Sequence, residues 1–435
     1  MSLPRDFKEK YEQLLGAEAP AFFESFDAPA ISGFRVNPLK ESQQSFDEKI
    51  EQMPWSYYGK VSGKSAAHVT GLVYSQEPAA QIVGQVAAPA PGMKVLDLAA
   101  APGGKSTHLL SYLDNKGILV SNEISKKRSK ILVENIERFG ARNVLVTNES
   151  AERLARVFAG YFDMIVLDAP CSGEGMFRKD PAAVEYWSKD YPIECAVLQK
   201  EILASAIEML ATGGYLVYST CTWAPEENEE IVHWLLEHYD LELVDIPKIN
   251  GMSEGIGLKE VARMYPHQFK GEGQFVAKFR YTGEAQTTKK NKGNKSNLSR
   301  EQSQLWQEFS TNILNFQEEG ILQVFGDQLY LLPQGLPDMS KVKIARNGLH
   351  LGTFKKKRFE PSFALGLALH SGEVKQRVEI SEEEFIQYVA GQTVAVSSDL
   401  PNGWYQVAVA GNGLGFAKIV SGTLKNAFPK GLRFS

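Results

Sequence analysis

Two cysteines stand where a sequence rarely places them by chance. The apolar run FDMIVLD (162–168) leads into APCSGEGMFRKDP, and the run GGYLVYST (213–220) leads into CTWAPEENE. Each run has the length and composition of a buried strand, so each delivers a thiol, Cys171 and Cys221, just past a strand end. Cys195 differs: it opens a helical pattern (ECAVLQKEILASAIEML), where packing is its default role. Three cysteines without a C-x-x-C pair exclude a disulfide framework and a zinc knuckle, and fit a reducing, intracellular setting.

Two thiols on one edge have a chemical use. C5 of a pyrimidine base is a poor nucleophile, but a thiolate that adds to C6 turns C5 into an enamine carbon able to attack an electrophilic methyl group. Such a thiol needs activation by a helix N-terminus or a cation. A helix expected from about Pro225 follows Cys221, and Lys105 and Lys179 are the candidate cations. Methylation of a base amino group would instead call for an aromatic clamp after an Asn/Asp-Pro-Pro turn. Here the turn is Asp168-Ala169-Pro170-Cys171, with a thiol in that place. The target base must leave its stack to reach such a pocket.

A second candidate site precedes the thiols. The strand MKVLDLA (93–99) runs into a small-residue loop, and the stretch Ala99-Ala100-Ala101-Pro102-Gly103-Gly104-Lys105 allows close backbone approach to a ligand before a helix. A phosphate-binding P-loop fails, because Ala99 stands where its first glycine is required, and G-x-G-x-x-G is absent. Asp97 closes the first strand, where it could take a ligand's amine. Glu123 closes the second (GILVSNE, 117–123), where a carboxylate grips ribose hydroxyls. This pair suits an amino-acid nucleoside, S-adenosylmethionine, better than a nucleotide phosphate.

The elements that must position these residues read as strands 93–99, 117–123, 143–147, 162–168, 213–220 and 274–281. Helices at 105 onward, 125–140 and 194–211 lie between them. The alternation indicates an α/β, mostly parallel, doubly wound sheet, which binds ligands beyond the carboxyl ends of its strands. A chain of 435 residues has room for two to four domains. The expected division is an N-terminal module at 1–70, a catalytic domain at 71–283, a basic linker at 284–300 and β-rich modules at 301–435.

Net charge is −5, but 284–300 carries about +4 through Lys289, Lys290, Lys292, Lys295 and Arg300 against Glu284. A phosphate backbone senses such local charge rather than the total. Lys355, Lys356, Lys357 and Arg358 form a second basic run, read as a solvated face or an RNA backbone contact. Trp55, Tyr57 and Tyr58 could stack on bases or pack the N-terminal module. His233 and His267 lack metal-like partners, so no metal is expected. No apolar run is long enough to span a membrane, and no signal peptide is read at the N-terminus.

The chain resembles the RNA 5-methylcytosine methyltransferases of the Nol1/Nop2/Sun group, most of all the bacterial branch, the RsmF type, that modifies small-subunit (16S) ribosomal RNA. RVNPLK (35–40), YSQEPAA (74–80), DLAAAPGGK (97–105), SNEIS (121–125), DAPCSGEGMFRKDP (168–181), YSTCTWAPEENE (218–229) and PHQFKGEGQFVAKF (266–279) carry the resemblance. RFEPSFALGLAL (358–369) extends it toward a PUA-like RNA-binding end. The resemblance implies a class I (Rossmann-like) methyltransferase domain, S-adenosylmethionine as cofactor, and 16S rRNA or the small subunit as partner. It implies that Ala99 to Lys105 cradle the cofactor, that Glu123 holds its ribose, and that Asp168 lies between methionine moiety and base. Cys221 would attack C6 and Cys171 would assist release, with Lys105 and Lys179 near the reaction centre. Where the family offers an Asp to adenine, this chain has Asn148, Glu149 and Ser150. A cytoplasmic monomer is expected. Alternatives are a tRNA cytidine or uridine target, or a catalytically silent RNA-binding assembly factor.

Overall fold

The computed structural model describes residues 3–41, 44–286, 294–317 and 319–435. Lys289, Lys290 and Lys292 lie outside the described residues.

The centre of the protein is a ten-stranded sheet. Its strands are β1 (Lys94–Asp97), β2 (Ile118–Asn122), β3 (Val144–Thr147), β4 (Phe162–Asp168), β5 (Leu210–Thr220), β6 (Leu241–Val244), β7 (Ser253–Gly255), β8 (Leu258–Met264), β9 (Gln274–Tyr281) and β10 (Ile344–Arg346). The order is β7-β8-β9-β5-β4-β1-β2-β3-β10, with β6 paired to β9. Strands β1 to β5 pair in parallel, whereas β9 joins β5 antiparallel. Successive residues of a strand face opposite sides. Ile165 and Leu167 therefore enter one core, and Met164 and Val166 the other.

Six helices cover the sheet: α1 (Pro78–Ala87), α2 (Gly104–Leu113), α3 (Lys126–Phe139), α4 (Ala151–Phe158), α5 (Tyr191–Glu208) and α6 (Glu229–His238). Helix α3 illustrates why they form. Ser125 caps its first turn, Gly140 ends it in the left-handed conformation, and Ser129, Leu132, Ile136 and Phe139 make one buried stripe.

The N-terminal helix Arg5–Leu15 sends Phe7 and Tyr11 into an aromatic cluster with Phe22, Phe177, Trp187 and Trp223. A three-stranded sheet follows, pairing Gly33–Val36 with Ser56–Tyr58 and with Val73–Ser75, so its last strand lies beyond residue 70. The C-terminal region holds a four-stranded sheet behind the helix Arg300–Ile313, then a five-stranded sheet with the helix Glu382–Val389. It also lends β10 to the catalytic sheet, antiparallel to β3, so the boundary drawn from sequence does not separate the two regions.

Candidate active site

Strands β4 and β5 run parallel in a register that sets Asp168 beside Ser219. The chain leaves both strands at the same level, and Cys171 Sγ meets Cys221 Sγ at 3.1 Å. Both thiols are free and half-buried. The hydrogen bond with Cys221 and burial push the Cys171 thiol well above its usual pKa. Either thiol can act as the donor in this contact, and burial favours the protonated form of Cys171. Cys195 is buried on α5, its thiol pushed up to about 12 mainly by burial, as suits packing.

Asp168 faces this pair. Its Oδ2 meets Lys105 Nζ at 2.5 Å, while Oδ1 accepts from Ser219 Oγ at 2.7 Å and Gln274 Nε2 at 3.0 Å. Burial opposes the charge on Lys105, but Asp168 and Cys221 favour it, and the net effect raises its pKa. Lys105 is the cation that attends the thiols. Lys179 is exposed, and its ammonium makes no ion pair or hydrogen bond among the described residues. The helix expected from Pro225 is also corrected. Residues 225–228 form a turn and α6 begins at Glu229, because Asn228 accepts from Thr220 Oγ1 and donates to the Thr222 carbonyl.

Buried carboxylates hold the two thiol loops. Glu227 accepts from the Ser172 backbone at 3.0 Å and from Gln199 Nε2 at 2.8 Å, and burial raises its pKa to about 7. Glu174 accepts from Tyr11, from Trp187 Nε1 and from Thr222 Oγ1. Backbone contact completes the brace: Gly175 donates to the Cys221 carbonyl at 2.9 Å and accepts from Gly273 at 3.1 Å. A Cβ on Gly175 would fall 2.6 Å from the Gly273 Cα, so only glycine lets these segments meet. Glu174, Glu227 and Gln274 fall within motif stretches, but nothing in their local spacing signals these roles.

The loop after β1 lies on the same edge. Gly103 has φ +119, and α2 starts behind it. Arg35 of RVNPLK is buried and donates to the Gly104 carbonyl and to Thr107 Oγ1, both at 2.8 Å. Arg128 holds the Ala101 carbonyl, and Asn135 the Pro102 carbonyl, each at 2.7 Å. Ala100 donates to Asn122, which closes the loop over β2. Asp97 accepts from Ser106 on Oδ2, while its buried Oδ1 accepts no hydrogen bond among the described residues. Burial raises its pKa to about 7. A buried acceptor without a donor fits a ligand's ammonium group. Glu123 is buried at the end of β2, with Oε1 on the Ser125 backbone and Oε2 3.5 Å from Arg128.

At the adenine position all three candidates are already engaged. Asn148 donates to the Glu123 and Ile124 carbonyls, Glu149 accepts from the Lys343 backbone beside β10, and Ser150 caps α4. Tyr57 stacks on Phe34, Trp55 lies against Tyr112 and Tyr58 under Lys270, so these rings pack the N-terminal module. His267 pairs with Glu18, and His233 is exposed. Lys355 and Arg358 flank a hairpin turn and pair with Asp327 and Glu360. Among the described residues, no helix is long and apolar enough to cross a membrane, and no group of three His, Cys, Asp or Glu could hold a metal ion.

Comparison with known proteins decides the family. A ribosomal RNA small subunit methyltransferase F from Vibrio campbellii is 31% identical, over 99% of this chain and 97% of that protein. The chain belongs to the ribosomal RNA small subunit methyltransferase F family. An Escherichia coli member is 31% identical over 94% of this chain and 92% of its own length. The 16S rRNA methyltransferase RsmB/F model matches residues 85–280, and the RsmF N-terminal domain matches 3–78. The RsmF first C-terminal domain matches 306–369 and the RsmF PUA domain 375–434. A solved methyltransferase homologue from Pyrococcus horikoshii aligns with TM-score 0.55 and 31% identity, over 64% of this chain and 95% of that one. The fold is thus a Rossmann-like methyltransferase sheet with a PUA-like C-terminal module, and the cofactor of this family is S-adenosylmethionine.

Proposed function

We propose that this enzyme methylates C5 of a cytidine in small-subunit (16S) rRNA through a covalent adduct between Cys221 and C6 of the base. The juxtaposition of Cys171 and Cys221 at the ligand edge, with Lys105 and Asp168 beside them, carries this reading.

The Ala99 to Lys105 loop would hold S-adenosylmethionine, with the unpaired Oδ1 of Asp97 on its amine and Glu123 on its ribose. When bound, the cofactor supplies an electrophilic methyl group. The chain's own residues do the rest. Lys105 favours the thiolate of Cys221 by its charge. That thiolate adds to C6, forming a C–S bond and leaving C5 electron-rich enough to take the methyl group. Asp168, held by Ser219 and Gln274, orients the base with Lys105. Loss of the C5 proton then returns electrons to the ring and breaks the C–S bond. Cys171, within reach of Cys221, assists this release. The PUA-like module contacts RNA backbone and positions the substrate. A 16S rRNA substrate puts the enzyme in the cytoplasm.

The test is transfer of labelled methyl from S-adenosylmethionine to small-subunit rRNA, free and in assembled particles, followed by nucleoside analysis. Labelled 5-methylcytidine is the expected product. Label on tRNA alone overturns the rRNA assignment. Cofactor binding without label on any RNA overturns the enzyme reading in favour of a silent assembly factor.

A further inference from the structure

Away from the thiols, a cavity of about 190 Å³ opens where three parts of the chain meet. Gly63 and His68 enter it from the N-terminal module, Glu134 and Arg138 from α3, and Phe428 and Phe434 from the C-terminal end. Phe363 stands edge-on to Phe428, with ring centroids 5.5 Å apart. Drug-sized ligands occupy pockets of roughly 300 Å³ or more, so this one suits a single ring system.

The lining narrows the class of ligand. Phe363, Phe428 and Phe434 give the cavity an aromatic lining, of the kind that takes up flat heteroaromatic rings. Burial, and then the charge of Arg138, lower the pKa of His68 to about 4, so it faces the cavity as a neutral ring. Glu134 is exposed at the rim and acts on Arg138 by charge. A carboxylate there accepts from an exocyclic amino group and repels a phosphate. Next to Gly63, the Lys64 ammonium donates to the Ser435 carbonyl at 2.7 Å and lies 5.9 Å from the centre of the Phe434 ring, which puts a positive charge at the rim.

The cavity is also wired to the cofactor loop. Arg138 Nη2 donates to Asn135 Oδ1 at 2.6 Å, and Asn135 Nδ2 donates to the Pro102 carbonyl at 2.7 Å. Two hydrogen bonds thus link a cavity wall to the loop assigned to S-adenosylmethionine.

We propose that this cavity receives one unstacked, amino-bearing nucleobase of the substrate RNA, and that its occupancy tightens the cofactor loop through Arg138 and Asn135. This rests on the reading of the chain as an RNA methyltransferase. Coupling of this kind is reciprocal: RNA strengthens cofactor binding and the cofactor strengthens RNA binding by the same factor.

Gly63→Trp tests it by filling the cavity from its rim. A Cβ at Gly63 meets no atom within 4 Å, so the backbone at the rim accepts a side chain there. Binding of small-subunit rRNA and of S-adenosylmethionine is measured for wild type, Gly63→Trp and Asn135→Ala, each ligand with and without the other. Gly63→Trp is expected to weaken rRNA binding about ten-fold, to lose the coupling and to leave cofactor affinity without RNA unchanged. Asn135→Ala is expected to keep rRNA affinity and lose the coupling. Wild-type rRNA affinity in Gly63→Trp overturns the proposal. So does tightening of cofactor binding by free cytidine, adenosine or guanosine monophosphate in the absence of rRNA, which would make the occupant a free nucleotide. Methyl transfer by the wild-type enzyme on the same RNA is the control. Its absence overturns the methyltransferase reading, whereas normal transfer with unchanged Gly63→Trp binding overturns only the cavity.

Discussion

Cys171 and Cys221 come from different strands, yet their sulfurs lie 3.1 Å apart. The parallel register of β4 and β5 produces this contact, because it ends both strands at one level. The contact with Cys221 and burial push the Cys171 thiol up. Opposite phenotypes follow. Cys221→Ala is expected to abolish both methyl transfer and any covalent RNA adduct. Cys171→Ala is expected to form the adduct and fail to release it. Denaturing gels of enzyme incubated with labelled RNA and S-adenosylmethionine read both outcomes. An adduct that accumulates in Cys221→Ala and is missing in Cys171→Ala reverses the roles.

Lys105 is a cation with two obligations, the Asp168 carboxylate and the nearby Cys221. Lys105→Met keeps most of the side-chain length and removes the charge together with the donor to Asp168. Loss of one preorganised electrostatic group in a shielded site costs on the order of 10²-fold in kcat, and that is the fall expected in single-turnover methyl transfer. Adduct formation should slow in parallel, because in the proposed mechanism addition of Cys221 precedes methylation. An unchanged adduct rate would place the Lys105 charge outside the addition step.

These sites were legible in the sequence to the extent that their signals are local. The apolar runs 162–168 and 274–281 coincide with β4 and β9, and Ser125 and Gly140 bracket α3 as capping chemistry predicts. The convergence of two strand-end cysteines followed from the doubly wound pattern alone. The helix after Cys221 was misplaced because Pro225 reads as a first-turn proline, whereas the Asn228 side chain holds residues 225–228 in a turn against Thr220 and Thr222. Strand β10 was not legible, since three residues some two hundred positions from their partner carry no pairing signal. Glu174 and Glu227 look like surface acids in sequence. Their burial depends on donors from Tyr11, Trp187 and Gln199, which only the assembled fold brings to them.

Asp97 is expected to give cofactor binding a pH dependence. Burial raises its folded pKa to about 7, and the ammonium of a bound cofactor favours the ionised form. Binding therefore requires loss of the Asp97 proton below pH 7 and none above it. The dissociation constant of S-adenosylmethionine should rise about ten-fold per pH unit below about 7 and level off above it. Calorimetric titration of wild type and Asp97→Asn across this range measures it. Asp97→Asn is expected to bind weakly, without this inflection. An identical inflection in the variant would assign the proton to another group.

Arg35 supports the cofactor loop from outside the methyltransferase sheet. Its guanidinium reaches Gln76 Oε1, the Gly104 carbonyl and Thr107 Oγ1 from a buried position, with Tyr74 5.5 Å from its centre. Lysine keeps the charge but not the planar fork, so it cannot satisfy three acceptors in that geometry. Each buried partner left unsatisfied costs about 1–3 kcal/mol. Arg35→Lys should therefore lower the thermal midpoint and weaken S-adenosylmethionine binding together, because Gly104 belongs to the loop that would hold the cofactor. Arg5→Lys, at an exposed position paired with Glu9, is the matched control and should change neither. A stability loss in Arg35→Lys with wild-type cofactor affinity would show that the guanidinium serves packing of the N-terminal module and does not shape the loop.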